Sequence, residues 1–229
     1  MIVWLASYPR SGNTLLRTLL LRCFELNTYS LYDDSGDIGA CPELRSAVGH
    51  VNHGLDQKKF YKQAKRSNEI FFVKTHDAPR DNAKAIYVVR DGRSAIISYY
   101  HYMRNFASSA TVSARGIVVG ECLFGSWGEH LKQWTPMERH DTLLLKYDDL
   151  LSNPYKVVEN VSSFIGRPIV RVSFPSFADL KSTNANFFRC GNDIENIEQL
   201  QGDDLDLFWR MHGDLMLKYG FPHSVPTSS

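Results

Sequence analysis

Short apolar runs punctuate the chain, and segments of helical spacing lie between them. Ile2–Ala6 reads as a buried strand, Ile70–Lys74 (IFFVK) as a second, Ala85–Val89 (AIYVV) as a third and Thr142–Lys146 (TLLLK) as a fourth. Runs of this length bounded by polar groups fit strands buried on both faces. After the first run, Leu15, Leu16, Leu19, Leu20, Cys23 and Phe24 recur at helical spacing, while Arg17 and Arg22 fall off that face. Ser94–Met103, Phe124–Trp134, Pro154–Ile165 and Asp203–Tyr219 read as further helices, the third stopped by Gly166 and Pro168. Thr28–His53, broken by Gly36, Gly39, Pro42 and Gly49, reads as loop and short turns. Ala107–Gly120, small and polar, reads as a mobile loop suited to closing over a site.

Strands alternating with helices predict an α/β fold, a three-layer sandwich with a central parallel sheet. Ligands then bind at the carboxyl ends of the strands. Three strand ends here carry polar chemistry: Ser7–Thr14 (SYPRSGNT) after the first, Lys74-Thr75-His76 at the second and Arg90-Asp91 after the third. The pattern predicts one domain over 1–222, with 223–229 a C-terminal tail.

Composition narrows the function classes. The chain has 229 residues, 43% of them hydrophobic, and a formal net charge of +1. No global basic character points to nucleic acid or an anionic membrane, so an anion site must be local. The four cysteines, Cys23, Cys41, Cys122 and Cys190, form no C-x-x-C pair. They imply neither a zinc site nor a disulfide framework, and a reducing compartment follows. His50 and His53 form an isolated H-x-x-H with no companion ligand, so no metal is expected. No apolar stretch reaches the roughly 20 residues that span a bilayer, and Met1–Ala6 lacks the features of a signal peptide. A cytoplasmic location is the expectation.

SYPRSGNT stands between a strand and a helix. Such a loop presents unpaired backbone N–H groups and the positive end of the helix dipole to an anion. Gly12 permits close approach, Ser11 and Thr14 add hydroxyls, and Arg10 adds a planar cation suited to phosphate or sulfate. The Walker pattern is absent, because no Gly-Lys pair follows. Arg90 ends a strand, and Ser98 lies about two turns into the next helix, so both can reach a second anionic group. His76 suits proton abstraction from a hydroxyl near neutral pH. Lys74, two residues earlier, lies on the same side of an extended chain.

Together these segments resemble the cytosolic-type sulfotransferases that use 3′-phosphoadenosine 5′-phosphosulfate (PAPS). SYPRSGNT is similar to the family's 5′-phosphosulfate loop, VVRDGRSAIISYYHY to its 3′-phosphate segment and KTH to the segment of its base. VGECLFGSWGEHLKQW, LLLKYDDLLSNP and FFRCG follow in the family's order, so the resemblance runs over roughly residues 2–220. It implies that Arg10, Ser11, Gly12, Asn13 and Thr14 hold the 5′-phosphosulfate. Arg90, Ser98, Arg189 and Gly191 would hold the 3′-phosphate, and Tyr147 and Phe177 would contact adenine. His76 would be the catalytic base, with Lys74 and Arg10 at the transferring group, PAPS the co-substrate, adenosine 3′,5′-bisphosphate (PAP) the product, and no metal required. Tyr99, Tyr100, Tyr102, Phe106, Phe124 and Trp127 lie in segments that border the family's acceptor pocket, suiting a small-molecule apolar or aromatic alcohol, although core packing is the favoured reading for most of them.

The chain also departs from the family. Arg10 replaces the usual Lys and keeps the charge without a proton to give. Leu15 stands where a Trp commonly stacks on adenine, Pro175 where a Thr usually binds it, and Cys190 where a Lys is usual. The dimerisation motif of many animal members is not visible in LMLKYGFPHSVPTSS, and those members are longer, which suggests a short, bacterial-style member. Two other readings stay open. One is a small-molecule kinase using ATP, which needs magnesium ligands where the third strand end offers only Asp91 beside an Arg. The other is a non-catalytic nucleotide-binding protein, which would have no need of a base.

Overall fold

The computed structural model describes residues 1–32, 41–106, 112–183 and 193–223. In chain order its elements are β1 (Ile2–Ser7), α1 (Asn13–Phe24), β2 (Thr28–Ser30), α2 (Pro42–Ala47), α3 (Gln57–Arg66), β3 (Phe71–Thr75), β4 (Ala85–Val89), α4 (Gly92–Phe106), α5 (Ala114–Val119) and α6 (Trp127–Trp134). β5 (Thr142–Lys146), α7 (Tyr147–Ser152), α8 (Pro154–Ile165), α9 (Phe177–Thr183), α10 (Asp193–Ile197) and α11 (Gly202–Lys218) complete them.

The strands form one sheet in the order β2-β3-β1-β4-β5, every pair parallel. The central strand β1 is buried throughout. Its alternate residues feed two cores, because successive side chains of a strand point to opposite faces. Ile2, Trp4 and Ala6 join Val73, Tyr87 and Val89 under α4, α5, α6 and α11. Val3 and Leu5 join Phe72, Ile86 and Val88 under α1 and α8. That is the expected three-layer α/β sandwich. α1 and α4 therefore leave β1 and β4 toward opposite faces. The crevice between those two strand ends is the switch point at which such sheets bind ligands.

The four strands read from the pattern are present, and the helices recur with shifted ends. The differences have local causes. β2 is a three-residue edge strand, too short to show a period, and parallel pairing with β3 holds it. α2 and α3 were not anticipated: the first is one short stretch after Pro42, and in the second Phe60 and Ala64 alone are buried on an otherwise polar helix. α6 begins at Trp127 because Ser126 and Glu129 form a reciprocal capping box.

The loop expected over Ala107–Gly120 is corrected in its second half. Ser113 caps α5, Gly120 stops it in the left-handed region, and Ile117 and Val118 are fully buried in the core. Residues 107–111 lie outside the described residues. Among the described residues, no helix is long and apolar enough to cross a membrane.

Candidate functional site

β1 ends at Ser7 and the chain turns through Tyr8–Gly12 into α1. Gly12 has φ of 103°, where a side chain is strained, and a Cβ there would lie 2.6 Å from the Tyr147 ring. Arg10 also adopts a positive φ, 62°, uncommon for a residue other than Gly. Asn13 ties the loop back to the strand, its amide donating to the Leu5 carbonyl at 2.8 Å and to Ser7 Oγ at 3.4 Å. What Asn13 can offer an anion is therefore its backbone N–H. α1 starts without a side-chain cap and with no carboxylate in its first turn. Its first N–H groups and its dipole thus face the loop unopposed. The hydroxyl of Ser11 is buried and has no hydrogen-bond partner among the described residues.

The end of β4 meets this loop across the crevice. Arg90, buried, donates from Nη1 to the Arg10 carbonyl at 2.8 Å and lies over the Tyr147 ring at 4.2 Å. Arg10 donates from Nε to Ser98 Oγ at 3.3 Å, and its guanidinium lies 5.4 Å from the Tyr102 ring centre. Arg10, Arg90, Ser98 and Tyr147 are therefore one contiguous group built from four elements. Asp91 belongs to a different network: the buried Arg93 binds its carboxylate at 2.7 and 3.1 Å, and the Arg93 backbone N–H adds a third bond. The acidic residue that a kinase reading needs is engaged there.

β3 brings the third contributor. Lys74, buried, is paired with Leu5 of β1 in the ladder, and His76 follows the strand. His76 Nδ1 lies 2.7 Å from the Ser7 carbonyl. A carbonyl only accepts, so Nδ1 carries the proton and the neutral ring has its lone pair on Nε2. The His76 backbone N–H donates to the Tyr32 hydroxyl at 2.6 Å, and that of Asp77 to the same oxygen at 3.0 Å. Burial outweighs these bonds and pushes Tyr32 up to about 12, so its hydroxyl stays neutral. The Tyr32 ring stacks at 6.3 Å from His76, and Phe124 stands edge-on at 5.4 Å. The His76 ring is thus set among aromatic rings.

Of the anticipated acceptor residues, Phe124 and Tyr102 lie against His76 and Arg10 respectively. Tyr99 is buried edge-on to Tyr8, Trp127 is in the core, and Tyr100 accepts from Arg104. Leu15 and Pro175 line one cavity of about 240 Å³ with Leu19, Leu150, Phe174 and Ser176, beside the start of α1. Phe177 opens α9, and its side chain, with Phe106, Arg189 and Gly191, lies outside the described residues. His50 and His53 diverge: the first meets Arg17 at 2.9 Å, the second stacks on Phe60 at 3.9 Å. No group of three His, Cys, Asp or Glu among the described residues could hold a metal ion.

Four participants were not singled out from the sequence. Ser7 and Tyr32 hold His76, and His130 and Trp134 reach the same strand end from α6. For the last two a signal existed. In WGEHLKQW, Trp127, His130 and Trp134 stand at i, i+3 and i+7, one helix face.

A parallel sheet thus carries an arginine-bearing strand–helix loop at its switch point and a histidine at the end of the neighbouring strand. The sequence model of the sulfotransferase domain family matches residues 2–198, and the chain belongs to that family. It is similar to flavonol 3-sulfotransferase of Flaveria bidentis, 30% identical over 185 residues that cover 72% of this chain and 57% of the relative. It is also similar to human sulfotransferase 1C2, 24% identical over 184 residues, 72% of this chain and 58% of that one. The chain thus spans under two thirds of the length of these relatives. In fold it is similar to a mouse sulfotransferase crystallised with PAP, with a TM-score of 0.68, 18% identity, and 95% of this chain and 87% of that chain covered.

Proposed function

We propose that the chain transfers a sulfuryl group from PAPS to the hydroxyl of a small-molecule acceptor, with His76 as general base. The observation that carries this reading is the bond from His76 Nδ1–H to the carbonyl of Ser7. It fixes the lone pair on Nε2 and ties the base to the residue that opens the anion loop.

The residues fit the nucleotide. The uncapped start of α1, the buried Ser11 hydroxyl and the strained Gly12 backbone suit an anionic group, with Arg10, Asn13 and Thr14 completing a 5′-phosphosulfate cradle. Arg90 and Ser98, with Arg189 and Gly191, would hold the 3′-phosphate. Tyr147 and Phe177 would contact adenine, and the cavity at Leu15 and Pro175 lies beside the start of α1 where that base would sit. PAPS would supply the sulfuryl group: the acceptor oxygen bonds to sulfur, the bond from sulfur to the 5′-phosphate oxygen breaks, and PAP leaves. His76 Nε2 takes the acceptor's hydroxyl proton, which makes its oxygen a competent nucleophile. Lys74 and Arg10 place fixed positive charge where negative charge develops, at no cost in reorganisation. Tyr32 and Phe124 enclose the base with apolar surface and favour an aromatic or apolar alcohol. The name of the Flaveria relative, a flavonol 3-sulfotransferase, supports that choice.

Calorimetry on the full chain tests the nucleotide half of this reading. Arg90 and Ser98 should make PAP bind better than adenosine 5′-monophosphate by about 1–3 kcal/mol, the scale of charge-assisted hydrogen bonds. Equal affinities, or a preference for ATP with magnesium, would remove PAPS from the account.

A further inference from the structure

Three ring N–H groups on one face of α6 end on backbone carbonyls at the two strand ends that carry the chemistry. Trp127 Nε1 donates to the Arg90 carbonyl at 3.2 Å, and Trp134 Nε1 to the Asp77 carbonyl at 2.8 Å. Between them, His130 Nε2 lies 3.1 Å from the His76 carbonyl. Because a carbonyl only accepts, that nitrogen carries the proton. His130 Nδ1 then holds the lone pair and accepts from the Tyr87 hydroxyl at 2.7 Å. The two histidines are held as opposite tautomers, one through its Nδ1–H and the other through its Nε2–H.

α6 is itself fixed. Its start is set by the Ser126–Glu129 capping box. At Gly128 a Cβ would lie 2.5 Å from His212 of α11, so that helix packs directly on its backbone. His212 in turn reaches the Val118 carbonyl at 3.0 Å. Trp127, His130 and Trp134 are each at most 1% exposed. A buried donor costs free energy if left without an acceptor. The three rings therefore hold the strand ends to one geometry.

We infer that α6 is a positioning clamp, with His130 the positioning residue that sets where His76 stands relative to Arg90. The clamp acts on backbone atoms of 76, 77 and 90, so it fixes the spacing of base and anion residue without touching substrate. This rests on the reading of His76 as base. Burial lowers His130 to about 3, so it stays neutral at ordinary pH and holds the same tautomer throughout an assay. Displacement of a reacting group by about 1 Å can cost on the order of 100-fold in rate.

The test uses the full chain with 15N-labelled histidine, PAP bound. His130→Ala should lower kcat by roughly 10–100-fold while the acceptor KM and the PAP Kd stay within about twofold of the parent. The His76 ring should lose its pure Nδ1–H signature in the 15N spectrum. His130→Gln keeps an N–H near the Nε2 position and should recover most of kcat and the signature. A folded His130→Ala with parental kcat and an unchanged His76 spectrum overturns the clamp. If that variant does not fold, Tyr87→Phe removes one oxygen and the donor that fixes the His130 tautomer. It should shift the His76 signals in the same direction, and unchanged signals overturn the clamp equally. A parent chain inactive with PAPS overturns the base reading, and the His76 spectrum still decides the clamp.

Discussion

Replacing Gly12 with Ala perturbs the anion loop at its tightest point, and its cost can be worked from two features. The residue sits at φ of 103°, a conformation that costs an L-residue roughly 1–2 kcal/mol. The new Cβ would also stand 2.6 Å from Tyr147 Cδ2, where ordinary contact begins near 3.4 Å. Tyr147 cannot swing away freely, because it is buried and Arg90 lies over its ring at 4.2 Å. Overpacking of this kind adds about 1–3 kcal/mol. The two together give about 2–5 kcal/mol, a large share of a typical stability of about 5–15 kcal/mol. The assay is urea unfolding of the parent, Gly12→Ala, Tyr147→Ala and the double variant. In the Tyr147→Ala background the steric part disappears, so Gly12→Ala should cost only the backbone part, about 1–2 kcal/mol. The coupling of about 1–3 kcal/mol measures the contact. A Gly12→Ala cost under about 0.5 kcal/mol in the parent background refutes the loop geometry on which the anion site depends.

Other consequences are checked as readily. Arg93→Met should lose about 3–5 kcal/mol in urea unfolding, because it leaves the Asp91 carboxylate buried without its partner, and Asp91→Asn in the same chain should restore part of that. His130 should make stability depend on acid. Its folded value of about 3 lies below the ordinary 6.5, so its contribution is present above 6.5 and lost as pH falls toward 3. Between pH 7 and pH 5 the parent should lose about 2 kcal/mol more than His130→Gln in paired urea titrations. His212, also lowered by burial, adds to the trend in both chains and cancels in the comparison. Arg10→Ala should lose both PAP affinity, by calorimetry, and rate, since Arg10 bonds Ser98 and the proposed function places its charge at the transferring group.

The sheet was legible because each of its four longer strands is a continuous apolar run, as burial on both faces requires. The turn from β1 into α1 was legible because Pro, Ser and Gly between an apolar run and a helical period mark a tight strand–helix junction, and Gly12 does take the positive φ found there. β2 and α2 were not, since edge pairing and a single turn leave almost no period. α5 was misread because its length is short and its buried pair, Ile117 and Val118, is adjacent rather than spaced. Within the site, Arg10, Arg90, Ser98, Lys74 and His76 follow from local pattern. What holds His76 does not: Ser7 and Tyr32 lie 69 and 44 residues away along the chain, and their bonds exist only once β1 and β2 both pair with β3. The clamp from α6 was half visible, as a face of Trp, His and Trp whose acceptors no local pattern could name.

The central claim is transfer of a sulfuryl group with His76 as base. Its most direct measurement is incubation of the folded chain with sulfur-labelled PAPS and a panel of phenols and aliphatic alcohols, following label in the acceptor and PAP released. The account predicts equal amounts of both products with at least one aromatic or apolar alcohol. His76→Ala, folded by circular dichroism and binding PAP nearly as well, should be slower by about 10²–10⁴-fold. A variant that keeps more than about a tenth of the parent rate, or a parent that releases PAP with no label in any acceptor, contradicts it.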